Sequence, residues 1–390
     1  MLKRRRHWPS SPTARERQVD GGPKLAIYAL VLRIAILTTS YPERAGDPAG
    51  HFIESEAVHR ARQGHDVHVI APGRHGPAVG RVLHPRRVAG NVNTSKHGSG
   101  RLTIWNAGGG DLFGLPGALV RAREKPRRLL RLAEFLPAVR FRLARLAPLD
   151  AIVAHFIVPS GFPLSLGGPD DIEVVLHGSD VRVMLAMPNW LRSHIVGALL
   201  GRGARFRFVA EDLRVKFLAV LPARQREQLR AVSRIELPLI SVAHVIRSAP
   251  FRSRTSSAAF AALTEDAVRR WVVCARLVPS KRVDLAIREA ARHRAALTVI
   301  GDGPLRAELE ALASSFEPRA RFTGQLPRAD ALALIADAHK LVHLSEAEGA
   351  PTVIREARAL GVPVLATPVG DVARWAAKDP GIEIFRPEPD

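Results

Sequence analysis

Short apolar runs bounded by glycine, proline and polar residues alternate along the chain with longer stretches of helical period. That alternation predicts parallel strands covered by helices on both faces. The first run, Leu-Arg-Ile-Ala-Ile-Leu-Thr-Thr-Ser over residues 32–40, reads as a buried strand. A glycine- and proline-rich loop carrying Gly46, Gly50 and His51 follows, then a helix over 53–62, and the run after Gly64 closes the first strand, helix and strand unit. Further strands are expected at 150–156 and 172–176. A second series starts at Trp271 and continues at 297–300, 340–344 and 362–366. Between the series lies a stretch rich in Ser, Arg and Ala at about 248–266, so the chain divides into two Rossmann-like domains, 31–250 and 251–390. Ligands in such sheets bind beyond the carboxyl ends of the strands, which makes a central cleft the expected site. Residues 1–30 form a basic extension expected to be disordered. The apolar run at 25–32 is broken by Arg33, well short of the ~20 residues of a spanning helix. Lys3, Arg4, Arg5 and Arg6 are not followed by the apolar core and cleavage site of an export signal.

Composition fits this outline. A chain of 390 residues can bury two cores, and 46% hydrophobic with 24% charged residues is globular. One cysteine, Cys274, excludes an internal disulfide framework and a cysteine zinc cluster, so a reducing, cytoplasmic setting is expected. Cys274 itself lies in an apolar run and is read as packing. The formal charge of +21 calls for an acidic partner or surface. Between Arg121 and Arg145, arginines mix with Leu, Phe and Val at helical spacing. This reads either as a basic helix pair lying on an anionic membrane surface, peripheral at its inner face, or as a solvated basic face. Nucleic acid is a weaker partner, because aromatics are only 5% and no reading motif accompanies the charge.

The densest chemistry lies at residues 348–356, Glu-Gly-Ala-Pro-Thr-Val-Ile-Arg-Glu. Two carboxylates flank a Gly-Pro turn that opens a helix. At such a turn, free backbone N–H groups and the positive end of the helix dipole face a diphosphate, and Glu356, two turns on, can reach a ribose diol. Exposed acids on a capped helix are the alternative. The segment resembles the Glu-x7-Glu signature of the retaining glycosyltransferases of family 4, which have the two-domain GT-B fold, and residues 33 to about 384 can be read against that pattern.

The resemblance carries further positions with it. Arg276 and Lys281, in the loop after the strand at 271–274, match the pair that grips the donor diphosphate, where fixed cations stabilise the departing charge; alone they would read as solvated cations. Gly301 and Gly303 match a turn near the nucleotide, though a tight turn needing small residues explains them equally. Phe322, Thr323 and Gly324 resemble the next strand and loop, near the base. Glu348 is implied beside the donor-sugar hydroxyls and Glu356 at the ribose. Ala350, Pro351, Thr352 and Val353 would line the pocket, with Pro351 unable to donate an N–H. In the first domain, Leu-His-Gly-Ser-Asp at 176–180 resembles the His-Gly-x-Asp loop, giving His177 to the reaction centre and Asp180 to the acceptor side, unless His177 is a satisfied loop histidine. His155, Gly50 and His51 are likewise read as acceptor-side. Arg355 stands where the family has an apolar residue, and no role is assigned to it. The segment 237–244 lacks the family's Asn-Gly, and the second domain reads as a shortened one.

The implied function is transfer of a sugar from a nucleoside-diphosphate sugar to an acceptor hydroxyl on a glycan, a lipid-linked sugar or a small molecule, with retention carried by the resemblance alone. No residue offers a covalent nucleophile, no metal-ligand spacing appears, and no cofactor is expected beyond the donor. The competing reading is a weak or inactive protein of the same fold whose basic surface binds lipid, polysaccharide or nucleic acid.

Overall fold

The structure is a computed structural model describing residues 31–43, 46–73, 100–113, 118–242 and 269–386. The expected extension at 1–30 and the expected junction at 248–266 thus fall outside the described residues. The first sheet contains β1 (Arg33–Leu37), β2 (Asp66–Gly73), β3 (Arg101–Gly109), β4 (Ala151–His155), β5 (Ile172–Leu176), β6 (Arg205–Phe208) and β7 (Ser233–Ile235). The second contains β8 (Arg270–Cys274), β9 (Ala296–Ile300), β10 (Arg321–Gly324), β11 (Lys340–His343), β12 (Val364–Ala366) and β13 (Ile382–Ile384). Strand order is β3-β2-β1-β4-β5-β6-β7 in one and β10-β9-β8-β11-β12-β13 in the other, and the pairings are parallel. Both are doubly wound. Each order reverses once, beside β1/β4 and beside β8/β11, so each sheet opens a crevice at the carboxyl ends of those strands.

Burial explains which runs became strands. β4 and β5 are buried at every position, as expected of central strands covered on both faces. The helix Leu132–Leu146 buries Phe135, Val139, Leu143 and Leu146 against Ile152, Leu164 and Ile70. These four repeat at helical spacing, and each fully buried large apolar side chain contributes roughly 1.5–3 kcal/mol. The apolar stripe of the basic segment is therefore core and cannot lie on lipid. The expected helix pair is in fact a short helix Ala118–Glu124, a 3₁₀ segment Pro126–Arg131 and this longer helix, with Leu129, Leu130 and Phe141 exposed on the outside.

Candidate active site

Three loops of the second domain meet at its crevice. After β8, the chain turns through Arg276 and the 3₁₀ segment Pro279–Lys281 into the helix Val283–Arg292. Gly301 and Gly303 follow β9, and a Cβ on either would run into this loop, 1.9 Å from the Ala275 carbonyl oxygen and 2.4 Å from that of Leu277 respectively. The two glycines therefore make room for the backbone on either side of Arg276, as the tight-turn reading expects. After β11 comes the Glu346–Gly349 turn, whose Glu346 N–H donates to the Ser280 carbonyl at 2.9 Å.

Glu348 accepts from Lys281 and lies 3.0 Å from His343 Nε2. Burial alone would push its carboxyl up, but Lys281 and His343 outweigh burial and hold it well below the usual carboxylate range. Arg276 is half-buried; burial pushes it down, with Glu348 drawing it up and Arg182 of the first domain opposing it. The two cations and the first carboxylate thus form one charged group. Glu356, at the buried face of the helix Thr352–Ala359, is paired with Arg328 and has His51 Nε2 at 3.3 Å. Burial raises the Glu356 carboxyl against the pull of Arg328 and Arg355. Burial, with Arg328 beside it, pushes His51 down to about 3, so that ring is neutral near pH 7.

The first domain closes the opposite wall. His177, Gly178 and Arg182 line one cavity together with Leu213, Glu348, Gly349 and Gly370. At about 270 Å³ it is just below the roughly 300–1,000 Å³ usual for ligand pockets. Gly349 is where the walls approach: a Cβ there would sit 2.5 Å from Leu213 Cδ1 and 3.3 Å from the His177 carbonyl oxygen. Ala350 packs against the first-domain core, Val353 against the second, and Thr352 opens the helix after Pro351.

The acceptor-side expectations need correcting. His155 is 1% exposed and lies behind His177, its Nδ1 2.9 Å from His177 Nε2, so it cannot touch a ligand directly. Asp180 is buried too, and its carboxylate accepts from the backbone N–H groups of Ile157, His177 and Gly178 at 2.9–3.1 Å. Its task is to hold the His-Gly turn. Gly50 begins the helix His51–Arg62 at a φ of 66°, and a Cβ would fall 2.4 Å from the Ser40 carbonyl oxygen. His51 reaches Glu356 of the other domain, so it lies where the two domains meet rather than facing the first domain alone.

Sequence reading passed over His343, Arg328, Glu56 and Asp371. His343 had a signal, a polar residue ending a buried strand five positions before Glu348. Glu56 had one as well, since it shares the helical stripe of Ile53 and Ala57. Arg328 carried none. Arg355, left without a role, donates to the Pro238 carbonyl at 2.6 Å and pins the segment leading to the junction.

Residues 269–387 match the family described as glycosyl transferases group 1. A GDP-mannose-dependent alpha-mannosyltransferase of Mycolicibacterium smegmatis is 38% identical over 95 residues, which are 24% of this chain and 24% of that protein. The chain thus matches about a quarter of that curated relative's length. WaaG, a glycosyltransferase involved in lipopolysaccharide biosynthesis, superposes with a TM-score of 0.54 at 18% identity, covering 90% of this chain and 85% of WaaG. HepE of Anabaena, solved in complex with UDP, does so at 0.53 and 15%, covering 91% and 86%. At these identities the two structures speak for the fold alone, two parallel-sheet domains of GT-B type.

Proposed function

We propose, for a chain that residues 269–387 place in the glycosyl transferases group 1 family, that it moves a sugar from a nucleoside-diphosphate sugar to an acceptor hydroxyl with retention of configuration. The observation that carries this is the joining of Arg276, Lys281 and Glu348 into one charged group, of which Glu348 lines a cavity that His177 closes from the other domain. In this scheme Arg276 and Lys281 neutralise the diphosphate as it leaves, with more effect on the transition state than on the bound donor. No metal enters the scheme. Glu348 exchanges its Lys281 contact for hydroxyls of the donor sugar, and Glu356 exchanges Arg328 for the ribose. The leaving phosphate takes the acceptor proton on the same face of the sugar.

GDP-mannose is the donor to test first, given the mannosyltransferase relative, with UDP-sugars beside it. A glycan or lipid-linked acceptor, in polysaccharide assembly at a membrane surface, is the setting that the WaaG likeness and the exposed Leu129, Leu130 and Phe141 support. The test measures nucleoside diphosphate released from a panel of donors. Lys281→Ala is expected to lower kcat about 100-fold or more, and Glu356→Ala to act chiefly by raising the donor KM. Equal turnover by both variants and the parent chain would remove the assignment.

A further inference from the structure

Behind His177 lies a file of polar groups that the transfer scheme leaves unused. His177 Nε2 is 2.9 Å from His155 Nδ1, and His155 Nε2 faces Glu56 Oε2 at 3.6 Å with no hydrogen-bond partner of its own. Glu56 is fixed in turn by Arg207 at 2.7 and 2.9 Å and by Arg60 at 2.8 Å. Glu173 draws on the same two arginines at 3.6 Å. The acids, Arg207 and His155 are buried: Glu56 is 7%, Arg207 4%, Glu173 5% and His155 1% exposed. The His177 ring is clamped by Phe52 and Phe156, each with its centroid 4.9 Å away, and stacks on His155 at 5.2 Å. Its plane is therefore set.

We infer that Glu56, acting through His155, decides which nitrogen of His177 carries the proton and keeps Nδ1 of His177 as the bare acceptor offered to the cleft. The argument is one of hydrogen-bond polarity. Burial pushes His155 down to about 3 and His177 well below its ordinary value, so near pH 7 each ring holds one proton. Glu56 is an anion, because Arg207 and Arg60, with His155 beside them, overcome its burial. A bare Nε2 on His155 would set a lone pair against that carboxylate, whereas Nε2–H points a positive dipole at it. His155 then has only Nδ1 with which to accept, and His177 must donate from Nε2. The remaining lone pair of His177 is on Nδ1. Such a nitrogen accepts from a hydroxyl and cannot donate to one, so it favours a ligand hydroxyl with a proton to give over an ether or carbonyl oxygen. Glu56 and His155 are positioning residues, which is how second partners commonly set a histidine's tautomer.

The role offered to the sugar rests on the proposed transfer activity; the proton arrangement does not, and the test separates them. The full chain is labelled with ¹⁵N-histidine and read by long-range ¹H–¹⁵N correlation, with His177 identified by the loss of its signals in His177→Gln. The expected result is a bare Nδ1 and protonated Nε2 on His177. The inverse form, or an averaged ring, in the parent chain would overturn the inference. In Glu56→Gln, an amide N–H facing His155 is expected to invert both rings, and a folded variant with His177 unchanged would overturn the part given to Glu56. His155→Phe keeps a stacked ring but removes the acceptor, and covers the case in which Glu56→Gln does not fold. There, averaged His177 signals and kcat lower by about tenfold or more are expected, with the donor KM within about twofold. Unaltered signals and kcat would overturn it. The expected tautomer without turnover of any donor would sink the reading of the cleft and leave the proton arrangement standing.

Discussion

Two kinds of residue share this cleft, those that would meet a ligand and those that shape the backbone for them, and sequence spacing does not tell them apart. Gly301 and Gly303 show the second kind. Gly301 has a φ of 133°, and its missing Cβ leaves space for the Ala275 carbonyl. Gly301→Ala is therefore expected to cost about 1–3 kcal/mol in strain alone, read as a lower denaturation midpoint, and to weaken donor use by displacing Arg276. Gly201→Ala is the control, since a Cβ there meets nothing within 4 Å at the end of the helix Asn189–Gly201. That change should stay within about 0.5 kcal/mol. Equal stability of the two variants would contradict the packing account.

At the scale of elements, the two halves complete each other's helix ends. The helix Glu211–Ala219 is preceded by Ala210, which has no side-chain oxygen to satisfy the first N–H groups. Asp371 of the second domain supplies it, accepting from the N–H groups of Glu211 at 2.9 Å and Asp212 at 3.1 Å while remaining 6% exposed. Gly370 beside it folds against Gly349, where a Cβ would come within 2.5 Å of the carbonyl oxygen. One turn thus braces both the Glu348 loop and the opposite wall. Asp371→Ala should cost about 0.5–2 kcal/mol of unfolding free energy, measured by denaturant titration. A loss below the error of that titration would mean that the cap does not hold the halves together.

For the whole molecule the dominant property is charge, 58 Lys and Arg against 37 Asp and Glu. Among the described residues, buried Arg207 is matched with acids in the cluster with Glu56 and Glu173, whereas buried Arg192 is held by backbone carbonyls and Asn189. Among the described residues no helix is long and apolar enough to cross a membrane. Leu130 is 76% and Phe141 57% exposed within an arginine-rich segment, a shape suited to resting on anionic lipid with apolar tips inserted. The chain is expected to sediment with vesicles containing anionic lipid but not with neutral ones, and to be released as salt shortens the Debye length below about 8 Å. Combined Leu130→Ala and Phe141→Ala should weaken binding about tenfold. Indifference to both lipid charge and salt would reject this surface.

The alternation of apolar runs and helical stretches determined the two doubly wound sheets, because buried parallel strands must be nearly all apolar and their connecting helices amphipathic. Glu348 and Glu356 stood out as two acids flanking a Gly-Pro turn that opens a helix, and Arg276 and Lys281 through the resemblance to the family's motif. Strands such as β6, Arg-Phe-Arg-Phe, escaped the alternation, since Arg207 points a charge into the core where the distant Glu56, with Glu173 and Glu236, makes that tolerable. The partners of each site residue were likewise decided in three dimensions: His343 with Glu348, Arg328 and His51 with Glu356, His155 behind His177, Asp371 on a helix of the other domain. A hydrogen bond between residues far apart in the chain leaves no period in the sequence, and only closing the two sheets against one cleft brings such partners within reach.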